Sequence, residues 1–144
     1  MVLAKTEQMD ISTHPKKNIL VIDDAQDLLQ VLELILGRFG YNVIIKNSPE
    51  AVFDYVQKTQ IDLLLLDVRL RGVNGRYICQ ELKSNPKTSY FPIILMSSYP
   101  SSLINLEECT ADDFIEKPFN LNELISKVNS VIKGKVKMNL PSSA

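Results

Sequence analysis

Five short apolar runs alternate along this chain with stretches of helical periodicity, and this alternation restricts the folds open to it. The runs are 18–23 (NILVID), 43–45 (VII), 61–66 (IDLLLL), 93–97 (IILMS) and 113–116 (DFIE). Strands that alternate with helices are typical of an α/β fold with a parallel sheet. The consecutive leucines at 63–66 indicate that helices cover both faces of that sheet. The sequence therefore predicts a doubly wound, five-stranded parallel sheet.

Helix signals fill the segments between these runs. Leucine and other apolar residues recur at helical spacing, first at Leu28, Leu32, Ile35 and Phe39, and last in a predicted helix at 120–133 that would bury Leu121, Leu124, Ile125, Val128 and Ile132. Ser48 and Asn120 are predicted N-caps. The sequence 71–75 (RGVNG) could close a hairpin through its Asn-Gly pair, but helical content follows it. We therefore expect a loop that leads into a helix there.

Size and charge describe one ordinary domain. The chain has 144 residues, 45% of them hydrophobic, which is enough to bury a core without a disulfide or metal. Its net charge of −1 gives no electrostatic reason to expect nucleic acid or an anionic membrane as a partner. Cys79 and Cys109 lack metal-ligand spacing, and no apolar run reaches the ~20 residues of a membrane span. We expect a reduced, cytoplasmic protein.

Polar residues stand at the ends of four predicted strands. Along the chain these are Asp23 and Asp24, then Asp67, then Ser97, then Lys117. Ligands of a doubly wound sheet bind outside the carboxyl ends of its strands, which share one edge. Three carboxylates, a hydroxyl and an ammonium group are therefore expected to meet there.

Three neighbouring carboxylates need compensating positive charge. Two of them about 4 Å apart repel by roughly 4 kcal/mol at an effective dielectric of 20. An oxygen-only ligand set suits a hard cation, most naturally Mg²⁺, which could orient a phosphodonor for attack by a carboxylate. Each residue alone has an ordinary explanation, such as a helix cap. Their joint occurrence at four strand ends favours a site that accepts a phosphoryl group.

Four motifs carry a family resemblance: VIDD (21–24), LLLLD (63–67), PIILMSS (92–98) and DDFIEKPF (112–119). On these motifs the sequence resembles the CheY-like receiver domains of bacterial response regulators. The resemblance implies a flavodoxin-like sheet with strand order 2-1-3-4-5 and five helices. It predicts a receiver domain at 17–133, between a flexible leader at 1–16 and a flexible tail at 134–144.

The resemblance implies a phosphorylation site that depends on Mg²⁺. Asp67 matches the aspartate that accepts the phosphoryl group. Asp23 and Asp24 match the acidic pair that holds Mg²⁺. Arg69 would add a metal ligand through its backbone carbonyl.

The same resemblance implies a switch that other proteins read. Ser97 matches the switch hydroxyl, Lys117 the lysine of the site, and Phe114 the aromatic residue whose rotamer follows phosphorylation. The Lys117-Pro118 peptide bond is expected to be cis. The donor would be a sensor histidine kinase or histidine phosphotransfer protein, and a downstream protein would read the face around the last two strands, through which a homodimer could also form. No enzymatic activity is expected beyond assistance to the protein's own phosphorylation and dephosphorylation.

The sequence departs from the family pattern near the site. Leu70-Arg71 stands where Met-Pro is frequent, and Thr110 stands where a glycine is usual. The stretch between Ser97 and Phe114 is short, so its helix is expected to be short, shifted or loosely ordered. Arg69 and Tyr99 occupy positions that influence aspartyl-phosphate lifetime in this family, and we hypothesise that they shield the phosphoryl group from water.

Other proteins with similar features fit the sequence less well. A haloacid-dehalogenase-type phosphatase would need a second aspartate where Arg69 stands, and a flavodoxin-like protein would need a phosphate loop where Asp23 and Asp24 stand. The P-loop motif GxxxxGK[ST] is absent. The remaining alternative is a receiver-like interaction module that is never phosphorylated. The sequence does not decide between a stand-alone protein and a piece of a longer regulator or hybrid kinase.

Overall fold

The structure, a computed structural model, describes residues 15–99 and 110–138, with side chains as far as residue 134. Its strands are β1 (Asn18–Ile22), β2 (Asn42–Lys46), β3 (Leu63–Asp67), β4 (Arg69–Leu70), β5 (Val73–Asn74), β6 (Ile93–Ser97) and β7 (Asp113–Glu116). Its helices are α1 (Gln26–Arg38), α2 (Glu50–Lys58), α3 (Gly75–Ser84) and α4 (Leu121–Met138).

Five strands form one parallel sheet in the order β2-β1-β3-β6-β7, which confirms the predicted order 2-1-3-4-5. Ile22 pairs with Leu66, Asp67 with Met96, and Ser97 with Glu116. The carboxyl ends of four strands therefore lie at one edge of the sheet. Four of the five expected helices fall within the described residues. The expected helix between Ser97 and Phe114 falls on 100–109, outside them.

Helices cover both faces of the sheet, so its central strands are buried throughout. Successive side chains of a strand point to opposite faces. Leu64 and Leu66 therefore belong to one hydrophobic cluster, with residues of α2 and α3, and we call it the α2/α3 cluster. Leu63 and Leu65 belong to the other, the α1/α4 cluster. The consecutive leucines correctly indicated a sheet covered on both sides.

The helical repeat expected in α1 is borne out in part, because Leu32 is buried and Leu28 and Ile35 are partly buried against the α1/α4 cluster. Leu29, Leu32 and Leu36 are fully buried, whereas Phe39 is 57% exposed. Leu28 and Leu29 are adjacent leucines, and both fit a helical repeat. Packing on the sheet selects the repeat that starts at Leu29.

The two predicted helix caps have different outcomes. Asn120 caps α4, because its Oδ1 accepts a hydrogen bond from the Glu123 amide at 2.7 Å. Ser48 does not cap α2, whose N-cap position is Pro49 without a side-chain cap. α4 continues to Met138, beyond its predicted end at Lys133, and Leu121 is 44% exposed rather than buried.

A loop leads from β3 into α3, as predicted, and it contains a two-strand antiparallel ladder of β4 and β5. Its turn lies at Arg71 and Gly72, where φ is 47° and 81°. The Asn-Gly pair is therefore not the hairpin turn. Asn74 instead caps α3, with its side chain accepting from the Arg76 amide at 2.9 Å.

The described helices include none that is long and apolar enough to cross a membrane. Cys79 is buried in the α2/α3 cluster. Cys109 lies outside the described residues.

Candidate functional site

A single ammonium group lies between two buried carboxylates at the carboxyl edge of the sheet. Lys117 Nζ is 2.6 Å from Asp23 Oδ2 and 3.4 Å from Asp67 Oδ1. Asp23 is 1% exposed and Asp67 is 7% exposed. Buried charges of one sign need such a partner, because burial removes the water that would otherwise solvate them. The predicted meeting of Asp23, Asp67 and Lys117 is therefore present.

The backbone fixes the positions of these three side chains. Asp67 is the last residue of β3, and the next amide, that of Val68, donates to the Met96 carbonyl at 2.9 Å. Asp23 Oδ1 accepts from the Ala25 amide at 2.9 Å, just before α1. The Lys117 amide donates to the Ser97 carbonyl at 2.7 Å, and the peptide bond that follows Lys117 is cis, as the resemblance implied.

Asp67 holds its proton more tightly than an ordinary aspartate. Burial is the main cause and the nearby charge of Asp23 the second, and together they raise its pKa from 3.8 to about 6. Lys117 and a hydrogen bond from the Arg69 backbone act in the opposite direction. Near neutral pH, Asp67 is still mainly a carboxylate and can act as a nucleophile.

Ser97 and Phe114 are both buried. The Ser97 hydroxyl oxygen accepts a hydrogen bond from the Tyr99 amide at 2.9 Å, and Ser97 is 1% exposed. Phe114 pairs with Leu95 across the sheet and packs in the α2/α3 cluster. Ser97 is the last residue of β6 and Phe114 the second of β7, and their switch roles stay predictions.

Asp24 is set apart from the other two acids. It is exposed, and its Oδ2 accepts from the Arg71 amide at 2.8 Å. The Arg71 Nε lies 3.9 Å from Oδ1 of the same carboxylate. The turn between β4 and β5 therefore reaches across to the end of β1.

Arg69 and Tyr99 form a stacked pair beside the site. The Arg69 guanidinium carbon lies 4.9 Å from the centre of the Tyr99 ring, which is within cation–π range. The two side chains line an open groove together with Asp24, Arg71 and Arg76. The pairing brings together the two residues of the shielding hypothesis.

The chemistry of this edge suits Mg²⁺. Asp23, Asp24 and Asp67 offer only oxygen ligands, and the charge of Asp23 is, after burial, the second cause of the raised pKa of Asp67. Within the described parts of the chain, however, no three His, Cys, Asp or Glu residues are gathered as a metal site. Lys117 bridges two of the acids and Arg71 binds the third. A bound Mg²⁺ would therefore compete with Lys117 and Arg71 for the same carboxylates.

Sequence reasoning missed two residues that shape the site. Gly75 packs against the backbone of Asp67, and Arg71 binds Asp24. Gly75 could have been noticed as a glycine at the start of a helix, where it has no propensity advantage. The contact of Arg71 had no sequence signal, because it joins segments that are distant along the chain.

Comparison with protein families gives one match over most of the chain. The family model described as "Response regulator receiver domain" matches residues 19–129. The response regulator ArlR of Staphylococcus epidermidis is 33% identical over 116 residues, which are 81% of this chain and 52% of that protein. The transcriptional regulatory protein CpxR of Escherichia coli is 34% identical over 117 residues, 80% of this chain and 49% of that protein. The chain thus spans about half the length of these relatives.

Solved structures give the same result for the fold. The receiver domain of a signal transduction histidine kinase from Syntrophus aciditrophicus has a TM-score of 0.76 and 28% identity, covering 89% of this chain and 96% of that one. The response regulator TrrA of Thermotoga maritima, solved in complex with Mg²⁺ and BeF, has a TM-score of 0.71 and 29% identity. That match covers 80% of this chain and 98% of the TrrA chain.

Proposed function

The chain belongs to the response regulator receiver domain family, and from this premise we propose that Asp67 accepts a phosphoryl group in a transfer that depends on Mg²⁺. The observation that carries the proposal is the Lys117 ammonium between Asp23 and Asp67. A helix cap needs only one acid, whereas here two buried acids from different strand ends share one lysine. This gathering of charged groups supports a site that binds and neutralises a phosphoryl group.

The transfer makes one bond and breaks one. An Asp67 carboxylate oxygen attacks phosphorus, and the bond from phosphorus to the donor's nitrogen or oxygen breaks with its electron pair staying on the donor. Lys117 and the Ser97 hydroxyl would bind oxygens of the transferred group. Asp23, Asp24, Asp67 and the Arg69 backbone carbonyl would hold Mg²⁺. The metal would supply positive charge against the phosphoryl oxygens.

The proposal also covers the switch. Phosphorylation adds about −1.5 to −2 charge at the edge of the sheet. Ser97 would then give up its bond from the Tyr99 amide for a phosphoryl oxygen, and Phe114 would follow. A sensor histidine kinase or histidine phosphotransfer protein would be the donor, and a downstream protein would read the change.

Location and further partners of the whole protein are inferred on the same basis. A cytoplasmic protein without enzymatic activity towards other molecules fits this role. Relatives such as CpxR carry names of transcriptional regulators. The expectation that this chain does not itself contact nucleic acid therefore stays a prediction.

Labelling with a small phosphodonor tests the proposal. The protein is incubated with acetyl phosphate and Mg²⁺, and intact mass and peptide mapping follow the product. We expect one phosphoryl group on Asp67, none on Asp67→Asn, and normal labelling of Asp54→Asn, which changes an exposed aspartate of α2. A chain that folds, binds Mg²⁺ and gains no mass would instead be the interaction module that is never phosphorylated.

A further inference from the structure

Arg71 holds both carboxylate oxygens of Asp24. Its backbone N–H donates to Oδ2 at 2.8 Å, and its Nε lies 3.9 Å from Oδ1. The side chains of Asp24 and Arg71 are 38% and 62% exposed. The guanidinium can therefore leave for solvent at small cost, since exposed ion pairs contribute little.

The backbone half of this contact comes from the turn and not from the side chain. Arg71 has a φ of 47° and Gly72 a φ of 81°, which close the turn between β4 and β5. The Gly75 amide donates to the Val68 carbonyl at 2.6 Å and ties the base of the loop. The proline that is frequent at position 71 in the resembling family has no N–H and cannot adopt a positive φ. The hydrogen bond from the residue-71 N–H to Asp24 therefore requires a residue other than proline at position 71.

We propose that Arg71 competes with Mg²⁺ for Asp24 and thereby sets the metal affinity of the site. The inference rests on the proposed function, because it takes Asp24 as a metal ligand. The guanidinium gives Asp24 the positive charge that the metal would bring. Mg²⁺ must either displace the guanidinium from Asp24 or bind beside it. Displacement loses the ion pair and binding beside it adds repulsion between two cations, so both weaken the binding of Mg²⁺.

The size of the effect follows from exposure. A solvent-exposed ion pair is worth roughly 0.2–1 kcal/mol, so loss of the guanidinium should lower the Kd for Mg²⁺ by about 1.4- to fivefold. Because both groups are exposed, high salt should shrink the difference.

Arg71→Gly distinguishes the contribution of the Arg71 side chain from that of its backbone N–H. Glycine keeps the N–H and accepts the positive φ, so the turn is preserved while the guanidinium is removed. Arg71→Ala is a second variant without the charge, and Arg71→Lys retains the charge. Arg38→Gln, at the other end of α1, makes the same change in net charge away from the site.

Titration with MgCl₂ measures the Kd of each variant by calorimetry, and ¹H–¹⁵N spectra follow the residue-71 amide. We expect a lower Kd for Arg71→Gly and Arg71→Ala, and values like the wild type for Arg71→Lys and Arg38→Gln. In the wild type, Mg²⁺ should shift the residue-71 amide proton upfield as its bond to Asp24 weakens.

Two results would overturn the inference. One is an Arg71→Gly variant that folds and has the Kd of the wild type, together with an unchanged Arg71→Ala. The other is an equal gain in affinity for Arg38→Gln, which would reduce the effect to net charge. Either result leaves the labelling of Asp67 intact, whereas a wild type that binds no Mg²⁺ and accepts no phosphoryl group would remove the proposed function as well.

Discussion

Gly75 and Asp67 touch through their backbones, at the start of α3 and the end of β3. A Cβ on residue 75 would overlap the Asp67 carbonyl oxygen and lie 3.0 Å from its carbonyl carbon. Both neighbours are backbone atoms, which cannot turn aside as a side chain can. The absence of a side chain at position 75 therefore allows the backbone of Asp67 to lie this close to α3.

Gly75→Ala is expected to destabilise the fold and to displace Asp67. Overpacking of this kind costs about 1–3 kcal/mol, and here the strain falls directly on the proposed acceptor. Urea denaturation should record the lower free energy of unfolding, and acetyl phosphate should label the variant more slowly. Gly37→Ala is the matched control, since a Cβ there meets nothing within 4 Å. Within α1 it should raise stability by about 0.5–1 kcal/mol; equal losses for the two variants would contradict the steric explanation.

Asp67→Asn is expected to stabilise the metal-free protein at neutral pH. The pKa of Asp67 is about 6 in the folded protein and 3.8 without its surroundings. Between these values the folded state binds more protons, so the free energy of unfolding falls as pH rises. The loss is complete above about pH 6 and reaches at most about 3 kcal/mol.

Unfolding curves from about pH 4 to 8 check this sign. The variant should be more stable than the wild type by about 1–3 kcal/mol near pH 7.5 and similar to it near pH 4. Asp54→Asn, at an exposed position, should follow the wild type at each pH. A wild type whose stability rises between pH 4 and 6 through Asp67 would show the opposite linkage.

Removal of the Arg69–Tyr99 stack is expected to shorten the life of the aspartyl phosphate. The pair lies beside the site, with the guanidinium carbon 4.9 Å from the ring centre. A contact of about 0.5–1 kcal/mol that excludes water should slow hydrolysis by about two- to fivefold. Decay of ³²P-labelled Arg69→Ala/Tyr99→Ala is timed against Tyr77→Ala, which removes an exposed tyrosine of α3. The shielding hypothesis fails if the double variant decays at the wild-type rate.

Thr110→Gly is expected to raise stability. Thr110 has a φ of 56°, where a β-branched residue is strained. Glycine relieves this strain and loses part of the gain to its larger unfolded-state entropy, for a net increase of about 0.5–1 kcal/mol. Thr59→Gly is the control, because Thr59 has a φ of −141° and should lose stability. Thermal melts of the two variants should therefore move in opposite directions.

The sheet was predictable from sequence, and the contacts around the acids were not. Apolar runs located the strands, and the rule for parallel sheets placed Asp23, Asp67 and Lys117 at one edge before any geometry was known. The choice of Leu29 over Leu28 for the buried face depended on packing, which periodicity alone does not resolve. The contact from Arg71 to Asp24 depends on a local turn and on a distant strand end, so neither segment signals it.

The sequence shows that Thr110 replaces a glycine that is usual in the family, but it does not show why glycine is usual there. The backbone conformation explains the preference. The positive φ supplies the reason, because glycine adopts that conformation without strain.

The two hydrophobic clusters make the two faces of the sheet unequal with respect to Phe114. Phe114 belongs to the α2/α3 cluster, and the sheet separates it from the α1/α4 cluster. Densely packed interiors are barely compressible and transmit a displacement through the side chains in contact. A movement of Phe114 would therefore reach the side chains of the α2/α3 cluster first, and those of the α1/α4 cluster only through the sheet.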